Sequence, residues 1–253
     1  MEQLTNAPSL AKQQEYYTDR WNEYGYANQL ELTRIAAVFQ FMAHIDLPRV
    51  PKICDLGCGA GWSTNLLSAF GETTGMDLSD TTTAQLRYPH CRFISSNILD
   101  WDRPESEFDL IVSMEVIEHI QSADQTKFLA KARGLLKPGG HLILTTPNSR
   151  TMNAIRGGGR TWSNQPVEDW LTASQLKELL IANGFEILSL TSLILGMGTL
   201  GSYRLVNSHR VNRCLQSLHL LPLWRRGALW ANYGLHTVVL ARRVPCSPPG
   251  PLR

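Results

Sequence analysis

The chain has 253 residues, 43% of them hydrophobic, and carries 24 lysines and arginines against 22 aspartates and glutamates. That length fits one large α/β domain, or one domain with small appendages, and can bury a full core without disulfides or structural metal. A formal charge of +2 gives no global pull toward nucleic acid or an anionic membrane, so a polyanionic partner is not implied.

The N-terminal stretch MEQLTNAPSLAKQQEYY lacks the basic start and apolar run of a signal peptide. No segment approaches the roughly 18 apolar residues of a membrane span, so no stable membrane insertion is expected. Residues 10–45 carry Tyr16, Tyr17, Trp21, Tyr24 and Tyr26, then an apolar helical stripe of Leu30, Ile35, Val38, Phe41 and Met42. We read residues 1–45 as a helical cap over a domain spanning 46–243. Short apolar runs at 52–56, 73–77, 92–95, 108–113 and 140–145 alternate with helical patterns, the rhythm of βαβ units and a parallel sheet. The segment FLAKARGLLKPGG reads as a helix stopped by Pro138 and two glycines, and Thr172 to Asn183 as a helix with a Thr or Ser cap and Gly184 at its end. FEILSLTSLIL and GLHTVVLARR supply a sixth and a seventh strand, with an insertion at 197–233 before the last. The expected fold is therefore α/β, a doubly wound, mostly parallel, seven-stranded Rossmann-like sheet. The tail VPCSPPGPLR has no periodicity and is expected to be disordered. Cys54, Cys58, Cys91, Cys214 and Cys246 form an odd set with no CxxC pair, which reads as reduced thiols of a cytoplasmic protein.

The most informative segment is KICDLGCGAGWS. An apolar strand ends at Asp55 and opens into Gly57, Gly59 and Gly61 before a helix, so the backbone can turn sharply and approach a ligand without Cβ clashes. The spacing is GxGxG, with Trp62 where a dinucleotide fingerprint carries its third glycine. Asp55 also places negative charge where a pyrophosphate would sit, whereas S-adenosylmethionine brings an ammonium and a sulfonium. Asp77 ends the second strand about 20 residues on, where a carboxylate accepts hydrogen bonds from ribose hydroxyls.

Together with ICDLGCGAG and GMDLS, the segments SSNIL, FDLIVSMEVIEHI, LLKPGGHLILTTPN and LTASQLKELLIANGF make the chain resemble the class I S-adenosylmethionine-dependent methyltransferases, near the ubiquinone-biosynthesis O-methyltransferases, over roughly 50–190. That resemblance implies S-adenosyl-L-methionine as cofactor. It implies that Asp55 with the backbone of Gly57, Cys58, Gly59 and Gly61 holds the methionine moiety, Asp77 the ribose and Leu78 one face of adenine. Asn97 and Ile98 would lie at the adenine edge, with Met114 and Glu115 under the methionine end. The related proteins more often carry Asp where this chain has Asn97.

On the acceptor side, MEVIEHI is expected to enter a helix with Glu115, Glu118 and His119 on one face. Three readings stay open. In the first, Glu115, Glu118 and His119 bind a divalent metal such as Mg2+, as similar ExxEH segments do in relatives. In the second, His119 and Glu115 act without metal as catalytic or orienting groups. In the third, the residues cap and pack a helix. His141, His209 and His236 are read as structural or solvated. Acceptor choice is assigned to the cap, to the loop SRTMNAIRGGGRTWSNQPVEDW with Trp162 and Trp170, and to the 197–233 insertion. That insertion reads as a pocket wall or homodimer surface. An interfacial membrane segment is ranked lower because Pro222 interrupts its polar face. The leading functional reading is O-methylation of a small-molecule hydroxyl in secondary metabolism. N-methylation, RNA 2′-O-methylation, an NAD-dependent oxidoreductase and a non-catalytic binding subunit are the alternatives.

Overall fold

A computed structural model describes residues 8–23, 27–101, 106–156, 165–193 and 208–245. Tyr24, Tyr26, Trp162, the triple glycine at 157–159, Cys246 and the rest of the tail lie outside the described residues. β1 (Lys52–Leu56), β2 (Glu72–Asp77), β3 (Arg92–Ser95), β4 (Phe108–Met114) and β5 (Leu136–Pro147) pair in parallel. β6 (Phe185–Leu193) and β7 (His236–Arg243) complete a seven-stranded sheet of order β3-β2-β1-β4-β5-β7-β6, with β7 antiparallel to both neighbours. The strand order reverses between β1 and β4, so the crevice beyond their carboxyl ends is the natural ligand position.

The central strands read as nearly continuous apolar runs because both sheet faces are covered. One face packs Leu56, Ile111, Leu142 and Val239 against Phe128, Leu129 and Ala132 of α5 (Ser122–Leu135). The other packs Ile53, Leu110, Ile143 and Val238 against Ile35, Val38 and Met42 of α2 (Gln29–Met42). Each such fully buried aliphatic side chain contributes roughly 1.5–3 kcal/mol over leaving it exposed. α2 starts at a capping box, in which Asn28 Oδ1 accepts from Leu30 N (2.9 Å) and Glu31 N (3.1 Å) while Glu31 takes the Asn28 N–H (2.7 Å).

α1 (Leu10–Asn22) is held less firmly, with Tyr17 its one buried residue, so the helical cap consists of one packed helix and one covering helix. α3 (Trp62–Leu67) and α4 (Thr82–Arg87) follow β1 and β2. α5 stops at Leu135, earlier than the sequence suggests, because Lys137 precedes Pro138 and is driven into extended backbone that β5 absorbs. The segment after β5, expected as a loop, begins with helix α6 (Ser149–Arg156). α7 (Ala173–Ala182) has the expected threonine cap at Thr172, which forms a capping box with Gln175, and a left-handed Gly184 after its end. The described part of the insertion is a helical pair, α8 (His209–Ser217) and α9 (Leu221–Trp230). Among the described residues, no helix is long and apolar enough to cross a membrane.

Candidate active site

The glycine loop after β1 is shaped by backbone conformation. Gly57 has φ +83°, and a Cβ there would lie 2.1 Å from a Val116 methyl carbon. Gly59 has φ +49°, with the Trp21 ring of α1 2.8 Å from where its Cβ would be. L-residues resist both the left-handed backbone and the contact, so the loop can close only with glycine. It borders a cavity of about 400 Å³ lined by Leu56, Gly57, Met76, Asp77, Leu78, Asn97, Ile98, Val116 and His119, roofed by Tyr17 and Trp21 of α1. The expected residues Gly57, Asp77, Leu78, Asn97 and Ile98 are thus brought together around one cavity.

Asp77 is held by three hydrogen bonds at the β2 tip. Its Oδ2 accepts from Gly59 N (2.8 Å), and its Oδ1 from Ser79 N (2.9 Å) and Ser79 Oγ (2.6 Å). A carboxylate has roughly four acceptor positions, so one remains for a ligand hydroxyl. Asn97 caps a 3-10 turn at Ile98–Asp100, accepting from Leu99 N (3.1 Å) and donating to Asp100 Oδ2 (2.8 Å).

Asp55 departs from the expectation that it faces the methionine moiety. It is buried beneath the loop, where Oδ2 accepts from Ser63 Oγ (2.6 Å) and Thr64 Oγ1 (2.7 Å) at the start of α3. Burial raises its pKa to about 6, against the two hydroxyl donors. Asp55 thereby ties the glycine loop to the start of α3. Cys58 is likewise buried, its thiol pushed well up by desolvation, and Met114 packs on the α2 side.

The segment after β4 does not enter an α-helix directly. Glu115 has φ +57°, a left-handed conformation that costs a non-glycine residue roughly 1–2 kcal/mol, and a 3-10 turn covers Ile117–His119. The reversal gives the three expected metal ligands different hydrogen-bond partners, while His119 Nε2 stays 3.9 Å from Glu118 Oε1. Glu115 meets His236 Nδ1 (2.8 Å) and Arg34 (3.5 Å), and accepts from Thr145 Oγ1 (2.8 Å). Burial opposes its charge, but His236, Arg34 and the hydrogen bonds hold its pKa at about 2. Glu118 accepts from Thr146 Oγ1 (2.9 Å), and burial followed by the Glu115 charge drives its carboxyl well above the usual range. Among the described residues, no three His, Cys, Asp or Glu side chains form a metal-holding group. The expected Mg2+ site at Glu115, Glu118 and His119 finds no support in this arrangement.

His119 lines the cavity. Its Nδ1 lies 2.8 Å from Val167 O, which can only accept, so Nδ1 carries the proton and Nε2 presents a lone pair. Burial lowers its pKa below 6.5 despite that carbonyl, keeping the ring neutral at pH 7. The Tyr17 ring packs 5.7 Å from it. Gln125 Nε2 reaches Asp169 O (3.0 Å) and Ile117 O (3.2 Å), and Asp169 N donates to Glu118 O (2.8 Å), which ties the Val167 segment to the 3-10 turn. His236, read from sequence as structural, proves to be the partner of Glu115 at the β4 tip. The two residues are far apart in the chain and share no motif, so only the β5–β7 pairing reveals them. His141 sits in register with Leu110 and Arg242, away from the cavity.

The sheet order, the glycine loop and the acidic β2 tip define a Rossmann-like methyltransferase fold. The Methyltransferase domain family matches residues 26–190, and the chain belongs to it as a class I S-adenosylmethionine-dependent methyltransferase. It is 31% identical to a probable S-adenosylmethionine-dependent methyltransferase of Mycolicibacterium smegmatis, over 61% of this chain and 58% of that protein. It is 27% identical to a ubiquinone biosynthesis O-methyltransferase of Coxiella burnetii, over 58% of this chain and 64% of that protein. The matches thus span between half and two thirds of these relatives' length. The 1,6-didemethyltoxoflavin-N1-methyltransferase of Burkholderia thailandensis, solved with S-adenosylhomocysteine, shares the fold at TM-score 0.59 and 17% identity, covering 92% of this chain and 85% of that one.

Proposed function

We propose that this chain methylates a hydroxyl oxygen of a small-molecule acceptor with S-adenosylmethionine as donor, and that His119 receives the hydroxyl proton. The observation that carries the reading is that one cavity is lined both by the cofactor-type residues Gly57, Asp77 and Asn97 and by a neutral histidine whose Nε2 makes no hydrogen bond, the Glu118 carboxyl being 3.9 Å away. The residues fit the cofactor: Gly57 leaves space where a Cβ would close the loop, Asp77 offers an acceptor for a ribose hydroxyl, and Leu78 and Ile98 offer apolar surface. When bound, S-adenosylmethionine supplies an electrophilic methyl group on a positively charged sulfur.

The chain's own residues then bind, orient and dry. Trp21 and Tyr17 close the cavity from α1, and excluding water strengthens every polar contact inside. Val167 O holds the His119 ring in the tautomer that leaves Nε2 free to take a proton. Positioning of this kind can lower a barrier by roughly 7–11 kcal/mol.

The test is label transfer from methyl-labelled S-adenosylmethionine to a panel of catechols, hydroxybenzoates, aliphatic hydroxy acids and amines, with the product's methylated atom located by mass spectrometry. Methyl on oxygen is the expected result. Methyl on nitrogen alone would replace the O-transfer reading with N-transfer.

A further inference from the structure

Charge is distributed very unevenly along the sequence. All 22 acidic residues lie at or before Glu186, whereas eight of the 24 basic residues, every one an arginine, lie beyond it. The β6–β7 insertion is thus purely cationic within a chain of net charge +2. Arg210 and Arg213 on α8 and Arg225 and Arg226 on α9 are all exposed.

The same hairpin exposes large apolar side chains. Leu218 (60%) and Leu220 (44%) form the turn between α8 and α9, and Leu223 (66%) and Trp230 (79%) lie on α9. Leu223 and Trp230 are seven residues apart and share one helix face, with Arg226 between them. The opposite face of α9 is already used, since Ala228 is buried and Leu229 O accepts from Ser192 Oγ of β6 at 2.7 Å. Trp230 continues into a shallow groove with Ile181 and Leu188, both exposed. Pro222 does not break this face, because it falls in the first turn of α9, where a missing N–H costs nothing.

Single exposed leucines are ordinary on a protein surface. A cluster of leucines and a tryptophan flanked by arginines, with the one acid lining the groove, Glu186, already paired to Arg242 (2.6 Å), is the composition of an interfacial segment. Apolar side chains enter the headgroup boundary, tryptophan sits at the interface, and arginines meet anionic lipid. RNA would use the arginines but gives the leucines no partner. We propose that the α8–α9 hairpin docks this chain on an anionic lipid surface. The docking does not rest on the proposed methyl transfer.

The experiment is flotation of the full chain with phosphatidylcholine vesicles, with or without about a third phosphatidylglycerol, at low and high salt. Binding to the anionic vesicles that weakens with salt is expected. Arg225→Gln with Arg226→Gln should weaken it roughly tenfold or more, from about fivefold per arginine near an anionic surface. Leu223→Asp with Trp230→Asp should abolish it, and Leu86→Asp, at an exposed leucine of α4, should leave it unchanged. Thermal melts show whether each variant is folded. If the aspartates destabilise the fold, quenching of tryptophan emission by brominated anionic lipid decides, with the part contributed by Trp230 lost in Trp230→Phe. Equal binding to both vesicle types, binding that survives these substitutions in folded protein, or capture by oligouridine in place of vesicles would overturn the proposal.

Discussion

Replacing Glu115 with Gln tests whether this residue anchors the fold or does chemistry. Its carboxylate joins α2 through Arg34, β5 through Thr145 and β7 through His236. A carboxyl that ionises near 2 in the fold and near 4.5 when free contributes about 3 kcal/mol. Because the folded value is the lower one, that stability is fully present above about pH 4.5 and is lost as pH falls through 2. Removing the charge also relieves its repulsion of Glu118, so the net loss is about 2–3 kcal/mol at pH 7. For a chain of this size that is a drop of roughly 5–10 °C in melting temperature. Calorimetric or circular-dichroism melts from pH 7 to pH 3 measure it, and the gap between variant and wild type should narrow toward pH 3. A variant that melts with wild type at pH 7, or a gap that is constant with pH, would refute the assignment of Glu115 as an ion-pair anchor.

His119→Ala should lower kcat for a hydroxyl acceptor about 10²- to 10⁴-fold with little change in cofactor affinity, measured by methyl transfer and by calorimetry. In wild type, the rate should fall as pH drops through a value below 6.5, where the ring gains its proton; a flat acid limb would remove His119 as the base. Gly57→Ala meets both φ +83° and a contact 2.1 Å from Val116. It should cost at least about 1–3 kcal/mol of stability or cofactor binding, read by melts with and without S-adenosylhomocysteine.

The sheet and its glycine loop were legible because short apolar runs and glycine at strand ends are local properties of the sequence. β1 to β4, α7 with its threonine cap, and the β6–insertion–β7 order fall close to where those patterns put them. Side-chain direction beyond the β4 tip was not legible. A single left-handed residue, Glu115, takes the ExxEH letters off a shared α-helix face and gives each its own hydrogen-bond partner, and nothing in the spacing marks it. The burial of Asp55 under Ser63 and Thr64 depends on how α3 starts, and the Glu115–His236 contact depends on strand pairing. The aromatic run before α2 signalled a cover, but that Trp21 lies over Gly59 is a tertiary fact. The cationic insertion is plain in the order of residues, yet whole-chain charge hides it.

The most direct test of the central claim is calorimetric titration of the purified chain with S-adenosylmethionine and with NADH, repeated for Asp77→Ala. The account predicts micromolar binding of S-adenosylmethionine, none of NADH, and a loss of about 10- to 100-fold in the variant, the worth of one charge-assisted hydrogen bond and a loosened Gly59. Tight NADH binding, or S-adenosylmethionine affinity unchanged by Asp77→Ala, would contradict it.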